Sequence, residues 1–464
     1  MLRFAPRLGF SATAVLLAIA FAFPPSAIAA DRAPNLLVIL ADDLGWADLG
    51  HDGSNIDTPN LDRLAKQGVK LTRFHSSAPM CSPTRAALLT GRYPHSVGVP
   101  ELASPTARGN VPVLALDHAA ITIPEALKPA GYYSTIVGKW HLGHARENWP
   151  RTHGFDEFWG SLIGTPTYWQ PRETYDNETP IKVTEYYTDA LTDKAIEVIR
   201  RGVGRNRPFF LYLAYNAPHY PLEAPFELVS KYRKRFPDRG LFAIFAAMVE
   251  QLDTGIGRVL ATLDELKIAD NTLVVFTSDN GPSAELNSYG PEGADFSNGP
   301  LRGFKFSTHE GGISVPFLAR WPGRLPAGTR QSTPAITMDL LPTLLEAANV
   351  KPAPNHEIHG TSILPLLRGE KFVRPNALHW ENQQNAGVFA DGWKLVHRFW
   401  EKQPRLYRLA DDMGEDRDLA AQHPEKVAEL LALHAKWKAK YYPNPVPPVK
   451  VRPLGQFPKT AQDP

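Results

Sequence analysis

The sequence holds one cysteine, Cys81. No intramolecular disulfide can form, so sulfur does not staple this fold. A lone cysteine is ordinarily a small buried hydrophobe, and its neighbours must say whether it is more. The chain also lacks charge of a dominant sign. Its 50 Lys+Arg and 48 Asp+Glu leave a formal net charge of +2, without the basic surplus or long like-charge run that would point to nucleic acid. No internal repeat is present. Beyond the N-terminal segment, no apolar run is long enough to span a membrane.

What is present is an ordinary globular composition, 43% apolar and 21% charged, on 464 residues. That length supports a large core or two packed domains. The 43 prolines fall largely in polar stretches mixed with aromatics, which predicts long, stiff surface loops. At the N-terminus, Arg3 and Arg7 precede an apolar run from Ala12 to Phe23, then Pro24-Pro25 and Ala27-Ile28-Ala29. This pattern predicts an export signal over 1–29, cut after Ala29 or at the next bond. It leaves a secreted or periplasmic chain with no stable membrane anchor.

The rest reads as α/β. Four β-rich runs, Asn35–Leu40, Tyr132–Val137, Phe209–Tyr215 and Leu273–Phe276, predict strands of a large, mostly parallel sheet. Each delivers polar residues just past its end: Asp42-Asp43, Lys139 with His141, His219, and Asp279-Asn280. In open α/β sheets, ligand sites form at that edge. Helices are predicted over Asn60–Gly68, Ser82–Thr90, Thr122–Ala130, Thr188–Arg201, Phe245–Leu266 and Asp339–Asn349. After Leu367 the pattern changes to short strands at Ala377–Trp380, Gly387–Phe389, Trp393–His397 and Arg405–Tyr407, then a helix over Glu425–Lys438. This predicts a catalytic domain over 30–367 and a smaller α+β subdomain over 368–464, ending in a proline-rich tail from Pro443.

The lone cysteine opens the string Cys81-Ser82-Pro83-Thr84-Arg85, continued by Ala86-Ala87-Leu88-Leu89-Thr90-Gly91-Arg92. Pro83 suits the first turn of a helix, so Cys81 belongs at or just before a helix N-terminus, which favours negative charge. Arg85, one turn on, shares its face. Asp42, Asp43, Asp279 and Asn280 offer only oxygen ligands, which argues for calcium or magnesium and against zinc. Gly138-Lys139-Trp140-His141-Leu142-Gly143 alternates Lys139 and His141 onto one side of an extended segment.

Taken together, these segments resemble the sulfatase family, within the alkaline phosphatase superfamily. The C-x-P-x-R string matches its signature and the Lys139/His141 segment its second one. Ala217-Pro218-His219, Gly303-Phe304-Lys305, Gly154-Phe155-Asp156 and Glu310-Gly311-Gly312 match further stretches, so the likeness covers nearly all of the mature chain. The resemblance implies that Cys81 is oxidised to formylglycine (3-oxoalanine) by a formylglycine-generating or anaerobic maturation enzyme. One hydroxyl of the hydrated aldehyde would attack sulfur, and the second would later lose a proton to re-form the aldehyde. It also implies calcium held by Asp42, Asp43, Asp279, Asn280 and an oxygen of residue 81. Carried over residue by residue, Asp279 activates the nucleophile and Arg85 holds residue 81. Lys139 and Lys305 hold sulfate oxygens, His219 with Lys305 assists the leaving oxygen, and His141 is the base for elimination. Two departures stand out: Ser314 where relatives often carry arginine, and His309 where an aromatic is common.

The substrate expected is a sulfated carbohydrate, with a small aryl sulfate as the alternative. His144, Trp169 and His309 are candidate contacts to the leaving group, and Trp140, Trp149, Trp159, Tyr168 and Tyr175 cluster in the same loops. A phosphate or phosphonate ester hydrolase is the rival enzyme. A non-catalytic binder of sulfated glycans is the rival outside catalysis.

Overall fold

The computed structural model describes residues 32–446 apart from 110, 206 and 284–297, and before them only 1, 2 and 5. The expected export segment and most of the proline-rich tail lie outside the described residues. The chain divides into two units, Met1–Arg32 and Ala33–Pro464, and every element below belongs to the second. Among the described residues no helix is long and apolar enough to cross a membrane.

The four expected strands form at Asn35–Ala41, Tyr133–Lys139, Phe209–Ala214 and Thr272–Ser278. They lie together in a ten-stranded sheet. Asn35–Ala41 is flanked in parallel by Thr272–Ser278 and Phe209–Ala214, and Tyr133–Lys139 runs parallel on the far side of Phe209–Ala214. Glu157–Ser161 extends the parallel core, while Phe317–Arg320 pairs antiparallel with Thr272–Ser278. The sheet is therefore mixed but mostly parallel at its centre. The continuous apolar run of Asn35–Ala41 is explained by its two faces. Leu36, Val38 and Leu40 enter one core, and Leu37, Ile39 and Ala41 enter the other.

The predicted helices form within a few residues of their expected ends. Gly240–Glu265 is the longest, and Ile123–Leu127 passes into a tighter turn over Lys128–Ala130. After residue 367 a four-stranded antiparallel sheet follows: Leu378–Glu381, Asn385–Ala390, Trp393–Arg398 and Arg405–Arg408. Helix Pro424–Tyr441 comes after it. A third apolar cluster joins this sheet to the Cys81 helix, with Trp380, Phe389 and Trp437 packed alongside Ala87 and Tyr93.

Candidate active site

The parallel strands run in one direction, so their C-terminal ends share one edge. Asp42-Asp43 follows Ala41, Asp279-Asn280 follows Ser278, and Lys139 closes its strand, with His141 two residues on. Asp43 and His141 both adopt left-handed backbone, with φ of 64° and 57°, which non-glycine residues hold only where their surroundings enforce it. For Asp43 the enforcement is visible: its N–H donates to Asp279 Oδ1 at 3.2 Å, and the next N–H, of Leu44, donates to Ser278 Oγ at 3.0 Å.

Helix Cys81–Thr90 begins at the cysteine itself. Met80 is extended before it and supplies no side-chain cap, so the positive end of the helix dipole lies at position 81. Every residue of this helix is buried. Arg85, fully buried, donates through Nε and Nη2 to Asp279 Oδ2 at 3.0 and 2.7 Å, and through Nη1 to the Lys139 carbonyl at 3.1 Å. It thereby ties two strand ends together and lies close enough to Cys81 for their charges to interact.

Lys139 pairs with Asp42, and Lys305 Nζ reaches both oxygens of Asp43 at 2.7 and 3.0 Å. His219 Nε2 stands 3.6 Å from Asp43 Oδ2. Three carboxylates (Asp42, Asp43, Asp279) thus meet three permanent cations (Arg85, Lys139, Lys305) in a buried pocket. Burial pushes the Cys81 thiol up, but the Lys139 and Lys305 ammoniums overcome it and hold the thiol at about 6. Burial and the nearby Asp42 hold Asp279 above the usual carboxylate range against Arg85. Burial would raise Asp43 too, but Lys305 and His219 bring it below that range. Burial and the cations Lys139, Arg85 and Lys305 push His141 well down, so its imidazole is neutral, and its Nδ1 has no hydrogen-bond partner.

Two buried acceptors at this edge are also unpartnered: Asp42 Oδ1 and Asn280 Oδ1. Orphaned buried oxygens are costly and call for an explanation. Ligand atoms of Asp42, Asp43, Cys81 and His219 all lie within 4.8 Å of one another. With Asn280 alongside, this oxygen-rich set fits a hard divalent cation. Asp279 is engaged differently from its neighbours, with Oδ1 on the Asp43 N–H and Oδ2 on Arg85, while His219 enters the group directly.

Other segments hold this edge in place. Gly281 N–H donates to the Gly312 carbonyl at 3.0 Å, and a Cβ on Gly281 would sit 1.9 Å from the Gly311 oxygen. The Glu310-Gly311-Gly312 stretch is therefore a close backbone approach against the Asn280 side. Ser314 Oγ donates to Glu310 Oε2 at 2.7 Å, and Lys394, from the C-terminal sheet, donates to Glu310 Oε1 at 2.6 Å. Glu310 thus takes its cation from the C-terminal sheet.

The three residues considered for the leaving group sit in different surroundings. His144 is half-buried, its carbonyl accepting from Trp149 Nε1. Trp169 is 47% exposed, with its ring against Tyr186. His309 is buried, bonded to Ser307 and facing Tyr407. Two supporting residues lay outside the sequence reading of the site. Tyr168, one of the clustered aromatics, donates its hydroxyl to the carbonyls of Asn216 and His219 at 2.6 and 2.9 Å, so it braces His219. Gly164 packs on the His141 ring, where a Cβ would come within 2.4 Å. Nothing local in the sequence marks either contact.

Comparison with known proteins adds an independent line. A family model described as Sulfatase matches residues 34–350, and one described as N-sulphoglucosamine sulphohydrolase, C-terminal, matches 304–436. The chain is similar to the N-acetylgalactosamine-6-sulfatase of Canis lupus familiaris, 39% identical over 432 residues, 88% of this chain and 80% of that protein. It is equally similar to that of Homo sapiens, 39% over 460 residues, 87% of this chain and 85% of that protein. Among solved structures it superposes on the crystal structure of Ps i-CgsB in complex with k-i-k-neocarrahexaose. There the TM-score is 0.81 and the identity 32%, covering 90% of this chain and 94% of that one.

Proposed function

This chain belongs to the sulfatase family and hydrolyses sulfate esters, and from that premise we propose that it is an exported enzyme that removes sulfate from carbohydrates through a nucleophile made from Cys81. The observation that carries the reading is the position of Cys81: first residue of a buried helix, its thiol held at about 6 by Lys139 and Lys305 after burial. Charge that stabilises a thiolate there also stabilises an oxyanion there. Cys81 Sγ stands in for an oxygen of the matured residue. Formylglycine, once formed at 81, supplies a paired-hydroxyl nucleophile that an ordinary serine lacks. Calcium, with magnesium as the alternative, would be held by Asp42, Asp43, Asp279, Asn280 and an oxygen of residue 81. When bound it polarises the nucleophile and a sulfate oxygen.

The chain's own residues divide the remaining work. Lys139 and Lys305 fix the anionic sulfate group before reaction, so no solvent must reorganise as charge moves toward the leaving oxygen. Asp279, a carboxyl held up by burial and Asp42, accepts a proton at position 81. His219, braced by Tyr168, donates toward the leaving oxygen with Lys305. His141, neutral and with Nδ1 unpartnered, accepts a proton in the release of sulfate. The carbohydrate reading draws on the relatives named above, whose names specify N-acetylgalactosamine 6-sulfate or a carrageenan oligosaccharide complex.

The test is free-sulfate release from defined sulfated mono- and oligosaccharides by matured protein, beside an aryl sulfate and a phosphate ester of one shared alcohol. Faster turnover of the phosphate ester would refute the sulfate preference. Peptide mass spectrometry at residue 81 tests the nucleophile, and an unmodified thiol in fully active protein would refute it.

A further inference from the structure

Next to the segments that carry Cys81 and Lys305, and lined by their chain neighbours Met80 and Phe306, lies a cavity of about 190 Å³ that none of the roles above uses. Met80, Glu101, Arg108, Phe306, Asn382 and Gln384 are among its walls. Its walls are fastened to the catalytic segments on two sides. Met80 directly precedes Cys81, and the Ala103 N–H donates to Ser82 Oγ at 3.1 Å. Phe306 directly follows Lys305, and its N–H donates to the Pro79 carbonyl at 2.7 Å. The Phe306 carbonyl accepts from Asn382 Nδ2 and Asn385 Nδ2 at 2.9 and 3.0 Å. These bonds hold Phe306 at a φ of 74°, unfavourable for a bulky residue unless it is fixed from both sides. Glu101 Oε1 accepts from the Gln383 N–H at 2.9 Å, closing the ring of segments.

The volume is smaller than the roughly 300–1,000 Å³ of sites for drug-sized ligands, so it suits one ring or one substituent and not a length of chain. Its walls offer amides, a carboxyl and an aromatic face, the chemistry that meets a sugar. They also hold one cation. Arg108 is exposed, with Nε donating to Ser104 Oγ at 3.1 Å, and its backbone exchanges bonds with Val111 at 2.9 and 3.0 Å. Among the described residues no carboxylate forms an ion pair with it. His144, pushed down mainly by burial against the pull of Glu173, also feels the Arg108 charge, so the guanidinium on the cavity wall is within electrostatic reach of the segment that follows Lys139 and His141.

The reacting sulfate already has Lys139 and Lys305. A further guanidinium at the neighbouring cavity, with no carboxylate partner among the described residues, is surplus to that group, and its planar fork suits a second carboxylate or sulfate. We infer that this cavity receives the leaving-group sugar and that Arg108 selects leaving groups bearing a second anionic substituent. The inference rests on the reading of the chain as a carbohydrate sulfatase.

The experiment uses matured full-length protein, wild type and the variants Arg108→Ala and Arg108→Lys. The substrates are a monosulfated disaccharide, the same disaccharide with a second sulfate, a uronate-containing counterpart, and 4-nitrophenyl sulfate. The readout is the ratio of kcat/KM for each second-anion disaccharide to that for 4-nitrophenyl sulfate. In Arg108→Ala that ratio falls about ten- to hundredfold, carried by KM, the size expected for one charged hydrogen-bonded contact. Arg108→Lys recovers part of it. A loss with only one of the two second-anion substrates identifies the anion read. A ratio within about twofold of wild type, or an equal loss for the monosulfated disaccharide, overturns the inference while leaving the carbohydrate reading standing. Wild-type protein that turns over 4-nitrophenyl sulfate but none of the disaccharides overturns both.

Discussion

At the residue scale, His141 shows how a side chain is aimed by what is missing beside it. Its backbone is left-handed at φ 57°, and the imidazole packs against Gly164, where a Cβ would approach Cε1 to 2.4 Å and Nε2 to 2.6 Å. No real Cβ tolerates such contacts, so Gly164→Ala must move the ring. Displacing a proton acceptor by about an ångström costs on the order of a hundredfold in rate. Gly164→Ala should therefore lower kcat by about ten- to hundredfold while leaving the melting temperature nearly in place. Steady-state kinetics paired with a melting curve checks this, and an unchanged kcat would discard the proposed role for His141. The unpartnered oxygens of Asp42 and Asn280 lead to a second expectation. A cation that binds only the folded chain stabilises it by about 2.7 kcal/mol at a hundredfold excess over Kd. Calcium should raise the melting temperature of the wild type by a few degrees, and Asp42→Asn should abolish most of that rise. An equal rise in the variant would remove Asp42 from the ligand set.

At the element scale, the C-terminal sheet reaches into the active-site edge through Lys394. This ammonium is fully buried and donates to Glu310, which also accepts from His75 Nε2 at 2.9 Å and from Ser314. Removing one partner of a buried ion pair costs about 3–5 kcal/mol, because the other is left uncompensated. Lys394→Met should lower stability by that order and slow turnover by loosening the Gly311–Gly312 approach to Gly281. Adding Glu310→Gln should restore part of the stability; additive losses in a double-mutant cycle would show that the two side chains do not act as a pair. This contact also marks what the sequence could and could not convey. The strand ends carrying Asp42, Lys139, His219 and Asp279 were legible because a doubly buried strand is a local apolar run, and its polar successor is adjacent in the chain. The Glu310-Gly311-Gly312 stretch was equally legible, but the cation that pairs with Glu310 was not, since Lys394 lies 84 residues on, in the C-terminal sheet. Helix Phe226–Arg235 escaped for a related reason: only Val229 and Tyr232 are buried along it, too few to print a helical apolar stripe. Strands Val69–Leu71 and Thr174–Asp176 are three residues each, shorter than any pattern can resolve.

At the scale of the whole molecule, buried ionisable groups away from the catalytic edge set opposed pH dependences. Burial holds His153 and His359 at about 4 and His379 at about 3, so all three fold as neutral rings. His379 stacks on Trp437 of the final helix, tying that helix to the C-terminal sheet. For a base depressed on folding, stability is complete above its ordinary value of 6.5 and is lost as pH falls through the folded value. Buried carboxyls behave in the opposite sense. Burial lifts Asp48 to about 7 against the Gly45 N–H, and Glu101 to about 7 against the Gln383 N–H; Glu415 is raised as well, by burial against Lys394. An acid raised on folding contributes fully below its ordinary value near 4, and that contribution is lost as pH rises through the folded value. Between about pH 4.5 and 6.5 the two sets oppose one another, since each group gains or loses about 1.4 kcal/mol per pH unit; His95, held at about 4 by burial, adds to the first set and Asp253, raised to about 6 by burial, to the second. Above that window the loss from the raised carboxyls continues, and below it the histidine loss is joined by that of carboxylates held low by their cations, Glu310 by Lys394 and His75 and Glu381 by His434 and Lys438. The melting temperature should therefore be highest between about pH 4.5 and 6.5 and decline on both sides, with stability lower by on the order of 2–3 kcal/mol at pH 8. Glu101→Gln, whose amide oxygen can still accept from Gln383, should shrink the alkaline decline without touching the acid one. A melting temperature that climbs steadily from pH 5 to 8 would show that these buried carboxyls are not protonated in the folded chain, and a Glu101→Gln profile parallel to wild type would exclude that residue from the decline.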